Sequence, residues 1–274
     1  MKNSLHRSLL LLPVLLTPGL CWATDVVKVE AGNFQMGCSQ GDPDCGKDEG
    51  KQGGTAVFVK TFYIDKLEVS VADYNKCMKS GNCPAPADDH DRNQYCNQGA
   101  KDRNDHPINC VDWDQALAFC KWKKGRLPYE AEWEKAARAG SHSRFPWGQN
   151  VSCKNAILDD GVTTGSVKGE PDGCGEDRTW TRASRPANAY GLFDMHGNAG
   201  EWTANWYKDN AIEALYAKGD LKGPKSSKQR VVRGGSWDEN KNNLRSSYRN
   251  VKPPVSGRAI YGSVGFRCAY DSAK

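Results

Sequence analysis

Residues 188–206 read NAYGLFDMHGNAGEWTANW, and the fold is decided by how this stretch is understood. Asp194 and Glu201 supply hard carboxylate oxygens. Gly197, Asn198 and Gly200 allow the backbone between them to turn its carbonyls inward, which is the combination a calcium site requires. The competing reading is a turn rich in Asp, Asn and Gly, anchored by Trp202 and Trp206.

Two further segments flank this one in the second half of the chain. In Arg230 to Tyr248 (RVVRGGSWDENKNNLRSSY) a short β-branched strand runs into Gly234-Gly235-Ser236, so the backbone approaches something closely there, with packing against Trp237 as the simplest occasion. Gly262 to Ala269 (GSVGFRCA) places Cys268 near the C-terminus, where a disulfide to an interior helix would pin the tail.

The first half is more regular. Val26 to Met36 and Ala56 to Ile64 carry β-branched and aromatic residues at near-alternate positions and are expected as strands. Glu68 to Ser80 reads as a helix stopped by Gly81. Asp112 to Lys123 places Trp113, Ala116 and Cys120 on one face, with Gly125 beyond its end. Tyr129 to Ala139 is a third helix, acidic early and basic late as its dipole prefers. Few segments hold a helical period beyond a dozen residues, and Gly, Asp, Asn and Pro recur throughout. A single loop-rich α+β domain follows.

The first 23 residues are set apart. Lys2 and Arg7 form a basic start, Ser8 to Leu20 is an apolar run too short to span a bilayer, and Cys21-Trp22-Ala23 ends in a small residue. This is the pattern of a secretory signal cleaved near Ala23, leaving residues 24–274 as the domain. A lipid anchor on Cys21 is disfavoured by Leu20, so no stable membrane anchor is expected. The expected location is periplasmic or secreted. Loss of Lys2 and Arg7 lowers the net charge from +5 to +3, too little and too dispersed for nucleic-acid binding. Of the 11 cysteines, Cys21 leaves with the signal and an even number remains. An exported chain with that parity favours disulfides, and the absence of any C-x-x-C spells out neither a zinc ribbon nor a thioredoxin-type site. Cys38/Cys45 and Cys77/Cys83 could close short loops; pairings among Cys96, Cys110, Cys153 and Cys174 are also plausible. No Walker loop, dinucleotide fingerprint, G-x-S-x-G or H-E-x-x-H is present.

Eight ordered blocks together resemble the formylglycine-generating enzyme, or sulfatase-modifying factor, family. They are VEAGNFQMG (29–37), FYIDKLEVSVADY (62–74), HPINCVDWDQALAFCKW (106–122), GRLPYEAEWEKAARAG (125–140), FPWG (145–148), NAYGLFDMHGNAGEW (188–202), VVRGGSW (231–237) and GFRCA (265–269). The resemblance implies a loop-rich α+β fold of the C-type-lectin-like kind, stapled by a Cys120–Cys268 disulfide. It also implies calcium bound by the Asp194 and Glu201 side chains and the Gly197 and Ala199 carbonyls. The family's second characteristic bridge would fall at Ala137 and Ser246, where this chain has no cysteine.

Family enzymes that convert a sulfatase cysteine to formylglycine hold copper(I) on two cysteines between the G-G-S strand and the terminal G-F-R-C. Gly234 to Arg267 contains no cysteine here, which argues against copper and against sulfatase activation. The expectation is an exported, calcium-stabilised accessory or regulatory module that binds a peptide or protein partner. The alternative is an oxidoreductase of the pyoverdine-maturation type acting on a peptide-like substrate. For chemistry in the groove the candidates are Trp237, Arg245, Tyr248 and Arg249, with Asp238 and Glu239 as acid–base groups. The competing reading of that segment is a solvated loop.

Overall fold

A computed structural model describes residues 26–86, 88–161, 173–254 and 262–273; the expected signal segment lies outside them. The two N-terminal strand segments each divide. β1 (Val26–Val29) and β2 (Gly32–Met36) are separated at Glu30-Ala31, and β3 (Thr55–Val59) and β4 (Phe62–Asp65) at Lys60-Thr61. Antiparallel pairing joins β1 to β4 and β2 to β3, so one apparent strand serves two sheets.

The helices follow their local signals closely. Ser70 caps α1 (Val71–Lys79) by accepting from the Asp73 N–H at 3.0 Å. Glu68 and Val69 therefore lie before the helix rather than in it. Asp112 and Gln115 form a reciprocal capping box at the start of α2 (Trp113–Trp122). α3 (Glu130–Arg138) departs from a half-solvated helix, because every one of its residues is buried. Its charged side chains are tolerated inside only because each meets a partner. Glu130 pairs with Arg249, Glu134 with Arg138 and Arg233, and Glu132 with Arg126.

The second half supplies β5 (Gly200–Trp206), a short helix α4 (Ala211–Ala214), β6 (Arg230–Arg233), β7 (Asn250–Lys252), β8 (Val264–Gly265) and β9 (Ala269–Tyr270). Strand order is β7-β6-β5-β8 in one sheet, with β5 and β8 parallel, and β1-β4-β9 in another. The C-terminal β9 thus pairs with an N-terminal strand and closes the domain. One core cluster gathers Tyr74, Phe119, Trp202 and Phe266 around the Cys120–Cys268 bond; a second gathers Met36, Val57, Phe62, Ile64 and Trp133, and a smaller third Phe145, Ala156, Leu158 and Leu244.

All ten cysteines of residues 24–274 are paired: Cys38–Cys45, Cys77–Cys83, Cys96–Cys110, Cys120–Cys268 and Cys153–Cys174. Bonds of this number belong to a protein folded in an oxidising, extracytoplasmic compartment. No helix among the described residues is long and apolar enough to cross a membrane.

Candidate functional site

The 194–201 turn is built on left-handed backbone. Asp194, Gly197 and Asn198 have φ of 54°, 78° and 62°. Gly197 is obligatory here, since a Cβ would stand 2.0 Å from the Ile157 carbonyl oxygen. Asn198 ties the turn to its surroundings: its side-chain oxygen accepts from the Trp180 N–H and its backbone oxygen from the Trp237 N–H.

Three buried carboxylates meet at this turn. Glu201 is held by Arg267 through Oε1 and Oε2 at 2.6–2.8 Å and by the Trp133 Nε1–H at 2.7 Å. Asp194 accepts from the Ala183 N–H at 2.6 Å. Glu68 accepts from Asn198 Nδ2 and the Ala199 N–H. Burial, with the Glu201 charge adding to it, pushes the Asp194 carboxyl up to about 6. Burial and the charges of Asp194 and Glu201 drive Glu68 well above the usual carboxylate range. Arg267 faces all three carboxylates and Arg182 also acts on Asp194, yet among the described residues no three acidic, His or Cys side chains stand close enough together to hold a metal ion by themselves. Glu68 was not legible as part of this set, because its sequence neighbours mark only the approach to a helix.

The Gly234-Gly235 pair makes the close approach anticipated, but to different neighbours. A Cβ on Gly234 would meet the Met195 carbonyl and the Trp133 ring at 3.1 Å, and one on Gly235 would meet Leu244 at 2.6 Å. Trp237 instead packs its ring 5.5 Å from Tyr95 and donates from Nε1 to the Gly262 carbonyl.

The segment that follows is not a solvated loop. Trp237, Arg245 and Arg249 are 3%, 2% and 5% exposed. Arg245 reaches Glu49 at 2.6 and 2.7 Å and Asp42 at 3.1 Å, while Arg249 grips Glu130 at 2.6 and 2.9 Å. Burial alone would raise the Glu49 carboxyl, but Arg245, Ser247 and the Gly46 N–H outweigh it and hold it low. Both arginines are therefore committed to internal carboxylates.

Asp238, Glu239 and Tyr248 lie close enough for their charges to act on one another, beside the buried Trp237. Asp238 accepts from Ser236 Oγ at 2.6 Å. Glu239 Oε1 accepts from Asn250 Nδ2 at 2.8 Å, while its buried Oε2 has no hydrogen-bond partner among the described residues. Burial, reinforced by Asp238, lifts the Glu239 carboxyl to about 7. Burial and then the Glu239 charge raise the Tyr248 phenol. A carboxyl poised near neutrality beside a phenol can give or take a proton.

These features define a single disulfide-stapled α+β domain with a buried acidic turn and a cysteine-free G-G-S segment. Residues 20–272 match the sulfatase-modifying factor enzyme 1-like domain, and the chain belongs to that family. It is 30% identical to the formylglycine-generating enzyme of Mus musculus, over 90% of this chain and 75% of that protein. It is 28% identical to the inactive C-alpha-formylglycine-generating enzyme 2 of Bos taurus, over 89% and 87% of the two chains. Among solved structures it is similar to PvdO from Pseudomonas aeruginosa, with 29% identity, a TM-score of 0.71, and coverage of 89% and 93%.

Proposed function

We propose that the protein is exported to the periplasm or beyond, after cleavage near Ala23, as a family member that has given up copper–thiolate chemistry. It uses the face around Trp237, Glu239 and Tyr248 to bind a peptide or protein partner. The observation that carries this reading is the state of the cysteines. A copper–thiolate centre needs free cysteines, yet the ten cysteines of residues 24–274 are in disulfides and none lies between Gly234 and Arg267. Calcium at Asp194 and Glu201, with the Gly197 and Ala199 carbonyls and Glu68 close by, would neutralise the buried acids and stiffen the turn that carries the Trp237 backbone. Photo-crosslinking from position 248 in the exporting cell tests the partner: a captured peptide or protein that a crosslinker at exposed Lys218 does not capture supports it. Equal capture from both positions contradicts it.

Glu239 favours a second reading, an oxidoreductase of the siderophore-maturation kind acting on a peptide-like substrate. There the carboxylate would take one proton from the substrate while molecular oxygen accepts the other hydrogen together with the electron pair, and the proton held by Glu239 would then complete hydrogen peroxide. This reading predicts loss of two hydrogens from the peptide by mass spectrometry, abolished in Glu239→Gln. Activity should rise with pH through about 7 as Glu239 ionises. Unchanged substrate mass in the presence of oxygen returns the binding module.

A further inference from the structure

A separate cleft runs between β2 and the C-terminal end of α3. Two cavities of about 210 and 130 Å³ adjoin there, sharing Gln35, Arg138 and His142. Arg138 lines both, Lys135 the smaller and Gln40 the larger, and among the described residues no Asp or Glu lines either. The whole chain has 38 Lys and Arg against 33 Asp and Glu, so a wall with two cations and no acid is a local departure from near balance.

Neither cation is saturated. Lys135 Nζ donates to the Glu30 and Gly32 carbonyls at 2.6 and 3.0 Å, leaving one ammonium N–H without a partner among the described residues. Arg138 gives Nε to Glu134, Nη1 to Ser39 Oγ and the Ser143 carbonyl, and Nη2 to the Gly37 carbonyl, leaving one guanidinium N–H. It also shares the Glu134 carboxylate with Arg233. Burial lowers the Lys135 ammonium and outweighs the opposing charge of the Glu30 carboxylate, which forms no ion pair with it.

The carbonyl end of a helix ordinarily repels anions, but here it is covered. Asn188 Nδ2 donates to the Ala136 and Ala137 carbonyls, and the Ser141 N–H to that of Arg138. The rim is neutral and polar: the side chains of Gln35, Gln40 and His142 make no hydrogen bond to a described residue and stand free to orient a ligand.

We propose that this cleft binds the oxyanion group of a small ligand, with Lys135 and Arg138 supplying the charge and Gln35, Gln40 and His142 the orienting hydrogen bonds. It shares no residue with the Trp237–Tyr248 face and stands whether or not that face binds a peptide. The test is a titration of the mature wild-type protein with sodium sulfate, inorganic phosphate or succinate at constant ionic strength, followed through the His142 ring protons and by calorimetry. Saturable binding that chloride does not reproduce is expected, and the strongest of the three names the group as sulfate, phosphate or carboxylate. Lys135→Gln should weaken it about tenfold. Because Lys135 also ties down two carbonyls, the exposed-rim double variant Gln35→Ala/His142→Ala provides a fold-neutral check and should weaken it with an unchanged melting temperature. A response that does not saturate, matches chloride, or survives undiminished in both variants overturns the proposal.

Discussion

Arg245 carries its charge into the interior because Glu49 and Asp42 come to meet it from about 200 residues earlier in the chain. Removing Glu49 from this buried cluster leaves Arg245 with Asp42 alone, a loss of at most about 3–5 kcal/mol. Glu49→Gln should therefore lower stability by that order in denaturant unfolding, whereas Glu176→Gln, in an exposed pair with Arg178, should change it by less than about 1 kcal/mol. Equal effects would contradict the burial argument. His106 and His196 both supply pH dependence at this scale, since burial depresses the His196 imidazole to about 4 as well. Burial, with Arg103 and Arg178 nearby, depresses the His106 imidazole to about 4. With the folded value below the unfolded value of about 6.5, the unfolded chain binds the extra proton. Stability is thus intact above that value and falls as pH drops towards 4. His106→Gln should make this acid limb of the melting curve shallower, with His196 keeping the remainder; an unaltered limb would assign it elsewhere. Such partnerships were hidden in the sequence, where Arg245 and Arg249 look like members of a polar loop. Nothing local announces that Glu49 and Glu130 are their counter-ions.

At the scale of elements, what local chemistry encodes was legible and what pairing encodes was not. The Asp112-x-x-Gln115 box starts α2 where the residues promise, because a cap involves neighbours three positions apart. The split of Val26–Met36 between two sheets was hidden, since each half alternates acceptably and partner choice is set by β3 and β4. The disulfides divide in the same way. Cys120–Cys268 spans 148 residues, and in the chain-entropy model its closure contributes about 5 kcal/mol. Cys77–Cys83 spans 6 and contributes about 2 kcal/mol. Replacing each pair by Ala in turn should therefore cost the long bridge more than twice the short one in unfolding free energy; parity would show that cavity effects dominate. In the acidic turn, Gly197→Ala forces both a left-handed φ and a clash with Ile157, so it should destabilise far more than Gly140→Ala, whose Cβ would meet nothing within 4 Å.

The whole molecule is a closed loop of chain: β9 returns to β4, Cys268 to Cys120, and Arg267 to Glu201 beneath the acidic turn. A cation that binds only the folded turn would stabilise all of this by mass action. Chelation should lower the melting temperature and added calcium restore it, and an unchanged midpoint would remove calcium from the picture. The same closure uses every described cysteine in a cross-link. The cysteines hold the frame, and the segment that follows Gly234-Gly235-Ser236 carries Trp237, Asp238 and Glu239. The most direct test is a count of thiols in the mature protein, denatured without reductant and treated with a thiol reagent. None should react; two or more would mean that a pair of cysteines is free for metal or oxygen chemistry after all.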